Sequence, residues 1–377
     1  ELKQWYQTYT LRGESYVLFV EKALSLLKHQ GQFSFIIPDT YLNLSFTAPL
    51  RSHLLQHSLL QELVLLPSRV FEDATVDTTL LFSEKAASTE AFHQSSVRVK
   101  SFSKQASQID LNLPEYATAV DTVSWHTQAS FNVQLGGPAD ALLNRLATTL
   151  PSIAELAEMF YGIKAYQVGK GKPPQTEEIR ISKPFTSNIQ KDESFLPFYD
   201  GKHVGRYRMF WQKDNWLHYG PWLAEPRNPQ KFIGEKILIR KIVADTLIAS
   251  YVPETSYCNT LLYVLKIKPE RQLSYLYLLG ILNSRFIGWY FKSRFQISAE
   301  DTFPQIMISD IQQFPVPEAA EEQQAPIIER VQQILDAPDS PEVPRLESEI
   351  DRLVYALYNL TDEEIALVEG VGRAKTP

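Results

Sequence analysis

Apolar positions change their spacing several times along the first ninety residues, and each change marks an element. In ESYVLFVEKALSLLKHQG (14–31), Val17, Phe19, Val20, Ala23, Leu24, Leu26 and Leu27 recur at helical spacing, predicting a helix closed by Gly31 at its C′ position. QFSFIIP (32–38) is a short apolar run of strand type ended by Pro38. TAPLRSHLLQHSLL (47–60) reads as a second helix and LQELVLLP (60–67) as a buried strand. After SRVFEDA comes another strand, TVDTTLLFSE (75–84). Helix, strand, helix, strand, strand predicts half of a doubly wound α/β sheet, with the earlier half expected upstream of Glu1.

Residues 86–130 are polar and rich in Ser and Gln, so strand fragments and connection are expected there. GGPADALLNRLATT (136–149) predicts a short helix. From PSIAELAEMFYGIKAYQVGKGKPPQ (151–175) onward the pattern breaks into short apolar pieces with frequent aromatics, Pro and Gly, among them RYRMFW, EKILIRKIV, TLIASYV and TLLYVLKI. That texture predicts a β-rich or mixed domain with long surface loops. LSYLYLLGILNSRFIGWYFKSRF (273–295) is apolar around most of its girth and reads as one buried helix. QAPIIERVQQILDA, PRLESEIDRLVYALYNL and TDEEIALVEG complete the chain as helices, and Thr361 with Glu364 forms a capping box.

Two of these stretches, SYVLFVEKALSLLKHQGQFSFIIPDTYLN and LRSHLLQHSLLQELVLLPSRVFEDATVDTTLLF, resemble the later motifs of TaqI-like N6-adenine DNA methyltransferases. YGIKAYQVGKG, GRYRMFW, FIGEKILIRKI, YLLGILNSRFIGWYF and QFPVP resemble that family's C-terminal specificity domain. EIDRLVYALYNLTDEEIALVEG is similar to the tail of single-chain restriction-modification enzymes. The resemblance implies the C-terminal half of a Rossmann-like methyltransferase sheet (1–130), then a mixed α/β DNA-specificity domain (131–320), then terminal helices (321–377). It implies sequence-specific recognition of double-stranded DNA, with S-adenosylmethionine as cofactor of the complete enzyme. The glycine-rich cofactor turn and the Asn-Pro-Pro-Tyr loop of the family are absent from this sequence, and the sole Pro-Pro, Pro173-Pro174, has the wrong context. The chain is therefore expected to bind no cofactor and to be inactive without a preceding methyltransferase portion as partner. A protein-docking module of a phage-defence assembly and a fragment of an RNA or protein methyltransferase are the alternatives.

Composition sharpens this in one respect. The 377 residues are 44% hydrophobic and 21% charged, ordinary for a globular protein, and no apolar run is long enough to span a membrane. The single cysteine, Cys258, excludes an internal disulfide and a Cys-based zinc site, and suits a cytoplasmic protein. A net charge of −7 argues against a polyanionic partner until its distribution is read. Between Tyr161 and Glu300, 21 Lys and Arg face 12 Asp and Glu, a net +9, so the rest carries −16.

In the family, an aromatic in the loop before the last strand stacks on the extruded adenine; RVFEDATV matches that position, so the resemblance makes Phe71 the base-stacking candidate. On its own, a lone Phe at a strand edge is a packing residue, and Glu72 and Asp73 read as a solvated turn. The basic candidates for DNA are Lys202, Arg206 and Arg208 in GKHVGRYRMF, and Lys236, Arg240 and Lys241 in EKILIRKI. In both stretches cations alternate at strand spacing, which predicts one exposed basic face. Lys170 and Lys172 lie in QVGKGKPP, expected to be a flexible loop reaching a phosphate. Arg285 reads as an internal cap or ion pair. His53 and His57 have i, i+4 spacing without the glutamate of a zincin, and no catalytic, metal or nuclease residues are found.

Overall fold

The computed structural model describes residues 2–10, 14–67, 70–71, 76–86, 96–102, 106, 109–122, 125, 131, 133, 138–294 and 305–370. The chain divides into two compact units, Glu1–Ala141 and Leu142–Pro377. Among the described residues no helix is long and apolar enough to cross a membrane.

The first unit holds helices α1 (Leu2–Trp5), α2 (Ser15–Leu26) and α3 (Ala48–His57). Its strands are β1 (Gln32–Pro38), β2 (Ser58–Leu65), β3 (Thr78–Lys85), β4 (Ser96–Ser101) and β5 (Tyr116–Asp121), in the sheet order β1-β3-β2-β4-β5. Strands β1 and β2 both run antiparallel to β3, so they are parallel to each other and end on the same edge, at Pro38 and Leu65. The pleat alternates as a two-sided sheet should. Leu63, Leu65 and Leu81 join Val17, Val20, Leu24, Leu50 and Leu54 on the helix face, while Val64, Leu66, Leu80 and Phe82 meet Phe102 on the other. The polar stretch 86–130, where strand fragments and connection are expected, supplies the paired strands β4 and β5.

Two boundaries differ from the sequence reading. Helix α3 stops at His57, where the Ser58 hydroxyl donates to the Leu54 carbonyl (2.8 Å) and the chain turns directly into β2. Helix α2 stops at Leu26, so Gly31 is not its C′ residue; the left-handed φ (62°) falls on Gln30. Gly31 is still required, because a Cβ there would sit 2.8 Å from the Lys28 carbonyl oxygen.

The second unit takes in most of α4 (Pro138–Thr149), then α5 (Ile153–Leu156), β6 (Ala157–Tyr161), α6 (Glu177–Ser182), β7 (Thr186–Ser187) and β8 (Phe195–Tyr199). The hairpin β9 (Val204–Gly205) and β10 (Arg208–Met209) precedes β11 (Trp216–His218), β12 (Lys236–Arg240), β13 (Ala249–Val252), β14 (Tyr257–Cys258) and β15 (Leu262–Ile267). Helices α7 (Tyr275–Leu282), α8 (Arg285–Arg294), α9 (Ile308–Ile311), α10 (Glu321–Asp336), α11 (Val343–Leu357) and α12 (Asp362–Glu369) follow. One four-stranded sheet has the order β13-β12-β15-β6 and the other β14-β8-β11-β7.

The first of these sheets is sandwiched. Ile237 and Ile239 of β12 face a core built with α7, α8, α10 and α11, while Leu238 faces a second core with Phe198, Leu217, Phe232 and Val264. The helices after residue 320 therefore share a core with the rest of this unit through Ile327, Val331, Ile350 and Val354.

The long apolar stretch 273–295, read as one helix, is two. Asn283 turns its amide onto a strand, accepting from Ala249 N and donating to Ala249 O (both 3.0 Å). Ser284 Oγ then accepts from Ile287 N (3.3 Å) at the start of the next helix. A side chain that completes a distant strand's hydrogen bonding outweighs continuation of the helix.

Candidate nucleic-acid interface

In the first unit the carboxyl ends of β1 and β2 lie on one edge, the place where parallel α/β sheets bind ligands. The segments leaving that edge are Asp39–Thr47 after β1 and the loop after β2 that carries Phe71. They are tied together locally: Pro38 pairs with Thr78, Asp39 N donates to Asp77 O (3.0 Å), and Leu66 N donates to Thr78 O (3.0 Å). Arg51, buried and pushed down to about 10 by desolvation, donates to Tyr41 O (2.7 Å), Leu44 O (2.9 Å) and Thr47 Oγ1 (2.8 Å). It makes the β1 segment a rigid base. Phe71 is 45% exposed and so is not a core plug, with exposed Val70 and Val76 also on this loop. Glu72 and Asp73 lie outside the described residues.

In the second unit the loop after β6 presents Lys170 and Lys172, both exposed. The expectation of flexibility is corrected. Gln175 is 2% exposed; its amide donates to Ala165 O and Trp222 O (both 2.8 Å) and accepts from Gln167 N (2.9 Å). Gln175 N donates to Lys170 O (2.7 Å), Gly169 N to Gln175 O (2.9 Å), and Lys172 N to Pro221 O (2.8 Å). Gly169 and Gly171 take left-handed φ values of 77° and 89°. At Gly171 a Cβ would lie 2.4 Å from Trp222 O. The two lysines project from a frame with its backbone groups satisfied.

Lys202 is exposed and pairs loosely with Asp214 (3.6 Å), which also faces His203 Nε2 (3.3 Å). His203 is buried, and desolvation pushes its pKa down; its Nδ1 accepts from Asp200 N (2.9 Å), so the ring is neutral and structural. Arg206 and Arg208 do not form an open basic face. They flank the tight β9–β10 turn, and Tyr207 between them (φ 54°) is buried in the helical core. Arg206 reaches Glu347 (3.1 Å) and Asn283 O (3.0 Å), and Arg208 pairs with Asp339. Both arginines thus tie the hairpin to the C-terminal helical segment.

Lys236 contradicts the expected exposed strand face. It is 0% exposed, and its ammonium donates to the carbonyls of Phe232 (3.1 Å), Gly234 (2.9 Å) and Glu254 (2.6 Å). Burial pushes its pKa down to about 8, partly offset by nearby Glu254. The physical reason is that β12 lies between two cores, so alternation there selects which core a residue enters. Arg240, at the strand's end, is partly exposed. Lys241 stands 5.3 Å from the Tyr161 ring and 5.4 Å from the Tyr263 ring.

Of the eight basic residues singled out in the sequence, then, Lys170, Lys172, Lys202, Arg240 and Lys241 reach the surface of the second unit, Arg206 and Arg208 serve its internal cohesion, and Lys236 is buried. Sequence reasoning missed Gln175 and Asn283, whose roles depend on backbone groups distant in the chain. Among the described residues no cluster of His, Cys, Asp and Glu is placed to hold a metal ion.

The chain is thus a mixed α/β unit followed by a β-rich unit with presented cations. Residues 1–71 match the Eco57I restriction-modification methylase and residues 196–316 match the TaqI-like C-terminal specificity domain, in the order expected from the sequence. The Methanocaldococcus jannaschii protein named "type II restriction enzyme and methyltransferase RM.MjaORFECS2P" is 26% identical over 313 residues, 80% of this chain and 24% of its own length. Among solved structures, the Type IIL restriction-modification enzyme MmeI in complex with DNA is similar in fold, with a TM-score of 0.54 at 13% identity, over 94% of this chain and 51% of that one. The type IIG restriction endonuclease BpuSI gives a TM-score of 0.35 at 12% identity, over 94% of this chain and 50% of that one. The chain thus spans about a quarter of the curated relative and about half of MmeI.

Proposed function

We propose that residues 142–370 read duplex DNA for a site-specific N6-adenine methyltransferase of the restriction-modification class, and that Phe71 of the first unit stacks on the target base. The observation that carries the reading is the specificity-domain match over 196–316, most of which, 196–300, falls in the region of net +9 charge. Lys170, Lys172, Lys202, Arg240 and Lys241 supply phosphate and base-edge contacts, the lysines as point charges and Arg240 as a planar fork suited to guanine. Phe71, exposed beside the carboxyl edge, has the surface placement that stacking on an extruded base requires.

S-adenosylmethionine is the methyl donor of the methylase family, and in the complete enzyme it would supply the transferred group. The residues present do not fit it. No glycine occurs between Gly31 and Gly136, so neither turn leaving β1 or β2 gives a cofactor the close backbone approach a glycine turn allows. No step is assigned to the cofactor in this chain.

The test is binding measured against salt by fluorescence anisotropy, followed by selection from a random duplex pool. The expected outcome is a logarithm of affinity that falls linearly with log salt, preference for duplex over single-stranded DNA and RNA, and enrichment of one short sequence. Affinity indifferent to salt, or no enriched sequence, would overturn the reading.

A further inference from the structure

The turn that joins β14 to β15 is built more firmly than a surface connection needs. Asn259 N donates to Tyr199 O (2.9 Å), and Leu262 N donates to Asn259 O (3.1 Å). The Asn259 side chain accepts from Leu261 N (3.0 Å), closing an Asx turn. Gly162 packs so closely beneath it that a Cβ would lie 2.0 Å from the Asn259 carbonyl oxygen. What this frame presents is apolar: Leu261 is 51% exposed and Tyr161, on the neighbouring strand, 38%.

Cations surround that apolar face. Lys241 N donates to Leu261 O (3.2 Å), and its ammonium sits 5.3 Å from the Tyr161 ring. Lys202 follows Gly201, which lies beside Leu261: a Cβ added there would be in ordinary contact with it at 3.4 Å. Its side chain is 69% exposed, and the pair with Asp214 at 3.6 Å is too solvated to hold it against a phosphate. A lone exposed leucine needs no explanation, but one fixed by an Asx turn, beside an exposed tyrosine and between two lysines, has the pattern of a nucleic-acid contact.

We propose that the Leu261 turn is a base-contact element of the second unit, resting on thymine methyl groups in the major groove of duplex DNA while Lys202 and Lys241 bind the flanking phosphates. This rests on the reading that the unit binds duplex DNA. Of the four bases, thymine alone offers a methyl group in that groove, so an apolar tip there discriminates sequence without a hydrogen bond.

The experiment uses the duplex that the parent chain selects from a random pool, and the same duplex with its thymines replaced by deoxyuridine. Parent protein should lose about fourfold in affinity per contacted methyl on the deoxyuridine duplex, as burial of one such group dictates. Leu261→Ala should lose a comparable factor on the thymine duplex, show little further loss on deoxyuridine, and keep the parent's salt slope. Lys202→Ala should instead lower that slope by about one on both duplexes. Equal losses on the two duplexes for Leu261→Ala, no loss at all, or a selected site without thymine would each overturn the proposal. Failure of the parent itself to bind duplex DNA in a salt-dependent way would instead overturn the underlying reading of function.

Discussion

EKILIRK and QVGKGKPP each place lysines near the front of a candidate DNA surface, and the structure treats them in opposite ways. The regular one, a strand with cations at alternating positions, buries Lys236 completely. The irregular one, a loop broken by glycines and prolines, holds Lys170 and Lys172 outward from a backbone fixed by Gln175. Strand spacing tells which residues share a face; whether that face meets water depends on what the rest of the chain lays over it. A loop needs no regular spacing to be rigid if its backbone groups are satisfied by one well-placed amide.

The sharpest way to break this contrast is at the buried lysine. Lys236→Met removes the ammonium that donates to the carbonyls of Phe232, Gly234 and Glu254, and should destabilise the second unit by about 3 kcal/mol in chemical denaturation. The pH dependence gives its signature. With a folded pKa of about 8 against an ordinary lysine value of 10.5, the unfolded lysine still holds its proton over that interval while the folded one has released it. Stability from this group is therefore lowest below pH 8 and rises through the window, by at most about 3 kcal/mol. Cys258, pushed up to about 12 by burial, works the other way above its ordinary value of 9. The parent-minus-Lys236→Met difference between pH 8 and 9 isolates the lysine. A variant as stable as the parent, with the same pH profile, would mean that Lys236 is not a structural cation.

Next in size is Gln175→Ala. It leaves Trp222 O and Gln167 N without their partner, removes one of two donors to Ala165 O, and should cost about 2 kcal/mol locally, read as faster hydrogen exchange confined to the 164–175 loop. Duplex affinity should fall as well, because the two lysines lose their common frame. Unchanged exchange would show that the loop is held by something else.

These residues also mark how far the chain could be read without coordinates. Elements that bury one face by local periodicity were legible: the strand at 32–38, the helix at 343–357, and the Thr361–Glu364 capping box, where Glu364 N donates to Thr361 Oγ1 (3.3 Å). Features set by distant partners were not. Asn283 breaks a stretch with strong helical character because Ala249, thirty-four residues earlier, needs both of its amide groups. Arg206 and Arg208 sit in an exposed-looking basic run, yet Glu347 and Asp339 more than a hundred residues on claim them. Phe71 is proposed as the stacking residue through the order of motifs, and no local signal separates it from a packing phenylalanine.

Smaller still in stability is the paired substitution Lys170→Ala/Lys172→Ala. Both side chains are exposed, so unfolding should shift by no more than about 0.5 kcal/mol. Binding should weaken alike on specific and random duplexes, with the salt slope lowered by about two for the pair. A stable variant whose sequence preference changes at one position would turn these lysines from phosphate contacts into base readers.

The smallest expected effect on binding belongs to Phe71→Ala. The side chain is 45% exposed, so little packing is lost on truncation, and folding stability should change by under about 1 kcal/mol. Its proposed partner is a base already rotated out of the duplex, which contributes nothing to reading the bases that remain stacked. Equilibrium affinity for the selected duplex, and its salt slope, should therefore match the parent. The effect should appear only when the chain acts within a complete methyltransferase, as slower methyl transfer, and in a 2-aminopurine probe at the target position, whose fluorescence reports how the extruded base is held. Phe71→Trp keeps an aromatic face and should restore both readouts; Phe71→Leu keeps the volume and should not. If leucine rescues as well as tryptophan, Phe71 is a packing residue after all, and the adenine must be held by another group.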